Sequence, residues 1–276
     1  MQTHLPKFLL NTDSQTAVLF IHGLGGSYNT WNSFSNKLNI DWNEKDSFSL
    51  EYDNFYNNVK SIPIYTFLVK NIFGKSIDKL ARHLESFIKT VCDKYKNVVL
   101  VCHSMGGLVA RKCIVNLLNK DRNLGKIKAL ITYATPHHGS TFANISKSLV
   151  YNPISFFSFG SLRLFLQIKD LSKNGAFITK LNSEWSKLNA STKLDFYRVV
   201  GMADWVVNES SASFEEDDNV ISCANKDHFN IIKPHPHIND NALYVTYNYL
   251  KKFNQTISNR EQFEEEVYTE EDDLEY

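Results

Sequence analysis

The sequence predicts an α/β protein whose mostly parallel central sheet is covered by helices. Short apolar runs that favour strands alternate with longer segments whose apolar residues recur at helical spacing. The clearest unit is the apolar run 98–101, which is followed by a sharp turn and then by a helical pattern from Gly107. A chain of 276 residues is short enough to fold around a single hydrophobic core. These observations favour a single doubly wound domain.

The predicted elements follow one another in a regular order. The first half of the chain contains a buried strand, a helix, a second strand and a long amphipathic helix, at residues 17–21, 31–38, 47–51 and 77–95. The strand and helix on either side of the sharp turn come next. The second half contains three strands and a closing helix, at residues 127–133, 194–200, 219–223 and 239–253.

The turn itself carries a candidate nucleophile. Residues 102–106 read Cys-His-Ser-Met-Gly, with Ser104 at the apex between strand and helix. A turn of this kind pushes the serine hydroxyl out of the sheet and accepts only small residues two positions to either side. Cys102 stands where the pattern usually has glycine, and its small side chain fits with some crowding.

A serine nucleophile needs a histidine to accept its proton and a carboxylate to orient that histidine. Asp204 begins the loop after one late strand, and His228 lies in the loop after the next. The order Ser, Asp, His is the order found with this type of turn. The sequence therefore predicts that Ser104, Asp204 and His228 form a catalytic triad.

Two other carboxylates are alternatives for the acid. Asp227 adjoins the histidine in the chain and is therefore poorly aimed at its ring, while Asp195 lies at the wrong end of its strand. An isolated Asp after a strand is also a common turn former. Asp204 remains the preferred acid.

The stretch His22–Gly26 ends the first strand in a glycine-rich turn. Two backbone amides that follow such a turn and such a nucleophile form an oxyanion hole, which here predicts the amides of Leu24 and Met105. A phosphate-binding loop is the alternative. It is excluded because position 28 is Tyr rather than Gly and no Gly-Lys-Ser or Gly-Lys-Thr follows.

Four blocks together resemble one family. They are 20–26, 103–107, the Ala-Thr-Pro-His-His-Gly-Ser run 134–140, and 201–207 with Ser211 and Ala212. With them the chain resembles α/β-hydrolases of the lipase and esterase type, over about residues 18–250. It is most similar to the branch that includes bacterial lipases and the enzymes that remove an acyl chain from the inositol of GPI anchors. The resemblance implies a serine hydrolase that cleaves acyl esters of lipid-like substrates and needs no cofactor.

The resemblance leaves two alternatives open. A thioesterase or acyltransferase would use the same triad with a different leaving group or acceptor. A catalytically weak hydrolase fold could instead serve as an interaction module, although a fold kept only for binding has no physical need for nucleophile, base, acid and oxyanion loop together.

Residues 1–260 are predicted to form the hydrolase domain, with a lid insertion at about 141–190. The insertion is proposed because residues 148–166 are rich in Phe, Leu and Tyr. An ordinary helical cover for the sheet is the alternative. An aromatic lid would line an acyl channel, where each buried methylene contributes about 0.8 kcal/mol. The same segment is also a candidate for peripheral contact with a membrane, although no stretch is long and uniform enough to span a bilayer.

Residues 261–276 contain a dense acidic run that cannot bury enough surface to fold alone. The sequence predicts a disordered tail there, with docking to a basic protein partner as the alternative. Nucleic acid is not an expected partner, since the formal net charge is zero and the basic residues are scattered.

The histidine pairs in the sequence do not predict a metal site. His137 and His138 are adjacent, so an extended strand would point them to opposite faces, and His235 and His237 do not complete a set. The four cysteines form no Cys-x-x-Cys pair and are predicted to be free thiols. Free thiols, together with an amino-terminal apolar stretch too short for a signal peptide, predict a cytoplasmic protein.

Overall fold

The structure, a computed structural model, describes residues 16–24, 28–34, 38, 64–66, 76–90, 92–140, 170–173, 175–214, 218–234, 240–253 and 256. Several predictions fall outside these residues. They are the strand 47–51, the aromatic segment 148–166, the pair His235 and His237, and the acidic tail 261–276.

Six parallel strands form one sheet in the described part of the chain. They are β1 (Thr16–Ile21), β2 (Ile64–Thr66), β3 (Asn97–His103), β4 (Ile127–Tyr133), β5 (Asp195–Gly201) and β6 (Val220–Cys223). Their order across the sheet is β2-β1-β3-β4-β5-β6, and each neighbouring pair runs parallel. All six carboxyl ends therefore lie at one edge of the sheet, so residues that follow β1, β3, β5 and β6 can meet there.

Five helices of five or more described residues pack around this sheet. They are α1 (Ile77–Thr90), α2 (Met105–Asp121), α3 (Ala176–Lys187), α4 (Glu209–Ser213) and α5, which comprises residues 241–253. Short 3-10 helices occur at Tyr28–Trp31 and Ala190–Thr192. Of the described helices, none combines the length and apolar content needed to cross a bilayer.

The sheet is covered on both faces because its strands are apolar on both faces. In β3, Val98, Leu100 and Cys102 join the core cluster that contains the buried sides of α1, α2 and α3. Val99 and Val101 point to the other face, where the core is completed by Trp31, Phe34 and α5. Continuous burial of this kind is typical of strands in the middle of a parallel sheet.

The predicted fold class is confirmed, and most elements lie close to their predicted bounds. β4 occupies the predicted residues 127–133, and the other strands of the second half begin one residue later than predicted. The apolar face of α1 is buried as predicted, but the helix ends at Thr90 rather than at residue 95. A turn follows, in which the amide of Tyr95 donates to the carbonyl of Cys92 at 3.1 Å, and it returns the chain to β3.

Two elements differ from the predictions. The predicted helix 31–38 begins as a 3-10 helix at Tyr28 and is helical at residues 32–34 and 38. β2 was not predicted, because three residues are too few for a periodic pattern and only pairing with β1 makes them a strand.

Helix α3 lies within the segment predicted as a lid. Its side chains Ile178, Leu181 and Trp185 are buried in the same core cluster as α2. This part of the segment therefore covers the body of the domain.

Candidate active site

Ser104 lies between β3 and α2 in a conformation that side chains rarely adopt. Its φ is 52° and its ψ is −129°. Such a positive φ is costly for a residue with a Cβ and persists only when the surroundings enforce it. Here the amide of Ser104 donates to the carbonyl of Tyr133 at 2.9 Å, and the hydroxyl of Thr135 donates to the Ser104 carbonyl at 3.0 Å.

Glycines allow the backbone segments around this turn to approach one another. A Cβ on Gly106 would lie 2.6 Å from the carbonyl oxygen of Ile21, and one on Gly23 would lie 2.7 Å from the Cβ of Ser104. Neither distance is possible between real atoms without a backbone shift. Cys102, where the motif usually has glycine, is fully buried in the core beside α1 and α2, so the sheet accommodates its small side chain.

The three predicted catalytic side chains form a continuous hydrogen-bonded chain. Nδ1 of His228 is 2.9 Å from Oδ2 of Asp204, and Nε2 of His228 is 3.0 Å from Oγ of Ser104. The residues Ser104 and His228 are 8% and 4% exposed. Since a carboxylate only accepts, Nδ1 carries the proton and Nε2 is free to accept the hydroxyl proton of the serine.

Asp204 is itself held in place by the loop that follows it. Its Oδ1 accepts hydrogen bonds from the amides of Val206 and Val207 at 2.8 and 2.9 Å, which leaves Oδ2 for His228. The alternative acids have other partners. Oδ1 of Asp227 accepts the amide of Phe229 at 2.7 Å, and Oδ2 of Asp195 accepts the hydroxyl of Tyr249 at 3.0 Å.

Main-chain bonds join the loops that carry the acid and the histidine. The amide of Met202 donates to the carbonyl of Cys223 and that of Ala203 to the carbonyl of Lys226, both at 3.0 Å. A Cβ on Gly201 would lie 2.4 Å from the Lys226 carbonyl oxygen, so the close approach of the two loops also requires glycine at position 201. The two loops are therefore one backbone unit.

The turn after β1 brings the predicted oxyanion amide of Leu24 to the same edge. Nδ1 of His22 donates to the carbonyl of Gly23 at 2.8 Å. Burial lowers the pKa of His22, so the ring is neutral. Because the peptide is planar and trans, holding this carbonyl on one side directs the amide of Leu24 to the other. Met105, the second predicted donor, is the first residue of α2.

A buried polar network underlies the Thr-Pro-His-His-Gly-Ser block. Arg111 of α2 donates to Nδ1 of His137 at 3.2 Å and to Oδ1 of Asn182 at 3.0 Å. The other ring nitrogen of His137 lies 3.3 Å from the hydroxyl of Thr132, to which it donates. Burial and the nearby Arg111 cation lower the pKa of His137 well below its usual value. His137 is therefore a neutral structural residue.

The same block braces the acid loop. The hydroxyl of Ser140 donates to the carbonyl of Val206 at 2.7 Å, and that of Ser211 donates to the carbonyl of Gly139 at 2.8 Å. The supporting roles of Arg111, Ser140 and Ser211 were not predicted. The sequence feature that could have indicated the role of Arg111 is its charge, since it lies among the buried positions of α2.

Among the described residues, no cluster of three or more His, Cys, Asp or Glu side chains could hold a metal ion. The side chains brought together at the carboxyl edge are a hydroxyl, an imidazole and a carboxylate, which are residue types that acyl transfer uses.

Solved structures share this architecture. The mature lipase BlEst2 of Bacillus licheniformis superimposes with a TM-score of 0.56 at 16% identity, covering 91% of this chain and 96% of the lipase. Phospholipase PlaB of Legionella pneumophila gives a TM-score of 0.63 at 16% identity, covering 91% of this chain and 65% of PlaB. The fold is therefore that of the α/β-hydrolases.

Sequence comparison narrows this class. Residues 12–159 match the PGAP1-like alpha/beta domain, and the chain belongs to that family. Protein SERAC1 of Homo sapiens is 27% identical over 207 residues, which are 65% of this chain and 29% of SERAC1. The GPI inositol-deacylase of Xenopus laevis is 32% identical over 127 residues, which are 44% of this chain and 13% of that enzyme. The chain thus spans less than a third of the length of these relatives.

The neutral state of His137 predicts a pH dependence of stability. Its pKa is lowered in the folded protein, so below about pH 6.5 the unfolded chain binds a proton that the folded protein does not. The free energy of unfolding therefore falls as the pH falls. Replacing His137 with Gln, which can still accept from Arg111, should reduce this slope by up to about 1.4 kcal/mol per pH unit. Urea unfolding of both proteins below about pH 6 measures the slopes, and equal slopes would contradict the assignment.

Proposed function

We propose that the protein is a serine-dependent carboxylic ester hydrolase that acts on acyl esters of lipid-like molecules. The observation that carries the proposal is the hydrogen-bonded chain from Ser104 through His228 to Asp204, with its serine at a strained strand-to-helix turn. The order along the chain and the placement at the ends of parallel strands are both those of an acyl-transfer site.

In the proposed first step, Oγ of Ser104 attacks the carbonyl carbon of the ester while Nε2 of His228 accepts the hydroxyl proton. The distance of 3.0 Å between these atoms suits the transfer. Asp204 remains ionised and stabilises the imidazolium that forms. His228 then protonates the leaving alkoxide, and an acyl-serine remains.

The negative oxygen of the tetrahedral intermediate is proposed to accept hydrogen bonds from the amides of Leu24 and Met105. Met105 begins α2, so its amide has no acceptor within the helix and lies at the positive end of the helix dipole. Gly23 brings the Leu24 peptide close to Ser104. In the second step, His228 removes a proton from water, and the resulting attack releases the carboxylic acid and restores Ser104.

The proposed substrate class rests on the names of relatives and neighbours together with the aromatic insertion. BlEst2 is described as a lipase, PlaB as a phospholipase and the Xenopus relative as a GPI inositol-deacylase. All three names denote attack on acyl groups of lipids. We extend that substrate class, but no individual substrate, to this chain.

The aromatic segment 148–166 is proposed to line the acyl channel and to be the part of the insertion that contacts a membrane. Its flanking residues support this placement. The amide of Ser140 donates to the carbonyl of Leu171 at 2.8 Å, and that of Lys173 to the carbonyl of Ser140 at 3.0 Å. The chain therefore leaves and returns at one point, beside the acid loop that Ser140 braces.

A reducing compartment, such as the cytoplasm, is the proposed location. All four cysteines are buried free thiols. Burial raises the pKa of Cys92 and of Cys223 to about 11, which keeps these side chains uncharged and poorly reactive. Unpaired thiols are typical of reducing compartments.

Replacing Ser104 with Ala should abolish hydrolysis of p-nitrophenyl esters, with kcat lowered at least about a thousandfold because the nucleophile is lost. The exposed Ser183 on α3 provides the control, since its replacement with Ala removes a solvent-exposed hydroxyl. A series of increasing acyl length, with matched coenzyme A thioesters, measures the preference. A wild-type protein that cleaves neither ester nor thioester would favour the interaction-module alternative.

Replacing Asp204 with Asn should lower kcat by about ten-thousandfold, as removal of the charge does in other triads. The Asn oxygen can still accept the amides of Val206 and Val207, so its NH2 group would face Nδ1 of His228. The proton would then move to Nε2, which could no longer accept from Ser104. Asp227→Asn is the matched control and should leave kcat within about twofold. Equal losses of kcat in the two variants would contradict the proposal that Asp204 is the acid that orients His228.

Shortening Phe156, Phe157 and Phe159 together to Ala should reduce the preference for long acyl chains. Each methylene that loses its apolar contact forfeits up to about 0.8 kcal/mol, or about fourfold in kcat/KM. Acetate hydrolysis serves as the internal reference because it needs no channel. An unchanged dependence on acyl length would show that this segment does not bind the acyl chain.

A further inference from the structure

His103 is a buried histidine beside the triad that takes no part in the proposed proton transfers. It ends β3 and immediately precedes Ser104. Its Nε2 lies 2.7 Å from the main-chain oxygen of His228, and the two ring centroids are 5.0 Å apart. Because a carbonyl oxygen only accepts, Nε2 of His103 must carry the proton.

The turn that carries His228 contains several internal hydrogen bonds. Oδ1 of Asp227 accepts the amides of Phe229 and Asn230 at 2.7 and 2.8 Å, and the amide of Ile231 donates to the carbonyl of Asp227 at 3.2 Å. These internal bonds fix the shape of the turn. Its position relative to Ser104 therefore depends on the contacts that it makes with the rest of the protein.

We infer that His103 is a positioning residue that holds the general base against the nucleophile, by donating from Nε2 to the main-chain oxygen of His228. The inference rests on the proposed function. Since His103 and Ser104 are consecutive, this bond links the backbone of the base directly to the strand end that presents Oγ. It sets the distance across which the serine proton moves.

A histidine suits this role because its ring donates a hydrogen bond without carrying a charge. Burial, followed by the proximity of His228, lowers the pKa of His103 to about 3, and the more distant His22 and Lys233 act in the same direction. During the proposed reaction His228 becomes an imidazolium. A Lys or Arg donor at position 103 would add a second cation in the same buried space and disfavour that state.

Two variants separate the hydrogen bond from the shape of the ring. His103→Phe keeps a ring but has no donor, whereas His103→Gln keeps a neutral N–H donor. We expect the Phe variant to lose about a hundredfold in kcat, the loss that a misplacement of about 1 Å causes, with little change in KM. The Gln variant should recover at least about tenfold of that loss. Fluorophosphonate titration gives the concentration of competent sites, and thermal unfolding shows that each variant is folded.

A second readout needs no turnover. The proton on Nδ1 of His228, bonded to Asp204, should give a downfield proton NMR resonance, assigned by its loss in Asp204→Asn. It should be present in the wild type and in His103→Gln, and broadened or absent in His103→Phe. If the Phe variant does not fold, His103→Asn replaces it, because its shorter amide does not reach the carbonyl of His228.

The outcomes distinguish this inference from the proposed function. A folded Phe variant with wild-type kcat and resonance would overturn the role of His103, as would equal losses in the Phe and Gln variants. A wild-type protein that neither hydrolyses esters nor reacts with the fluorophosphonate would overturn the proposed function. The resonance would then still test whether His103 orders the His228 turn.

Discussion

The geometry of the site depends on the close approach of three backbone segments: the end of β1, the end of β3 and the start of α2. Gly106 lies so near the carbonyl of Ile21 that a Cβ would come within 2.6 Å of its oxygen, and Gly23 lies equally close to Ser104. The register that pairs Ile21 with Cys102 fixes where these segments meet. With its neighbours held in this way, Ser104 has no room to relax from its positive φ, and its hydroxyl stays at the carboxyl edge of the sheet.

Parallel pairing brings the other parts of the site to the same edge. β5 and β6 are adjacent, so the loops that follow them begin side by side and are joined by main-chain bonds. Asp204 and His228 are therefore positioned relative to each other by backbone rather than by their side chains alone. The bond from His103 connects this paired unit to β3, the strand that ends directly before Ser104. The loops that carry Asp204 and His228 and the strand end before Ser104 are thus joined by hydrogen bonds to main-chain groups.

Much of this arrangement could be predicted from the chain. Ser104, Asp204 and His228 are recognisable because each follows an apolar run and because their order matches a known type of site. The supporting network was not predicted. Arg111 and Asn182 are 71 residues apart, and nothing local in either segment indicates that one side chain donates to the other. β2 was missed for a related reason, since its three residues are a strand only because β1 lies beside them.

By itself the sequence determined the alternation of strands and helices, the buried faces and the residue types able to perform acyl transfer, because these depend on periodicity and on short motifs. The tertiary structure alone decided which histidine is structural, which side chains brace the acid loop and where α3 packs. Those outcomes depend on distances between residues far apart in the chain. Such distances are set by strand order and by the close packing of backbone against backbone, which no local pattern encodes.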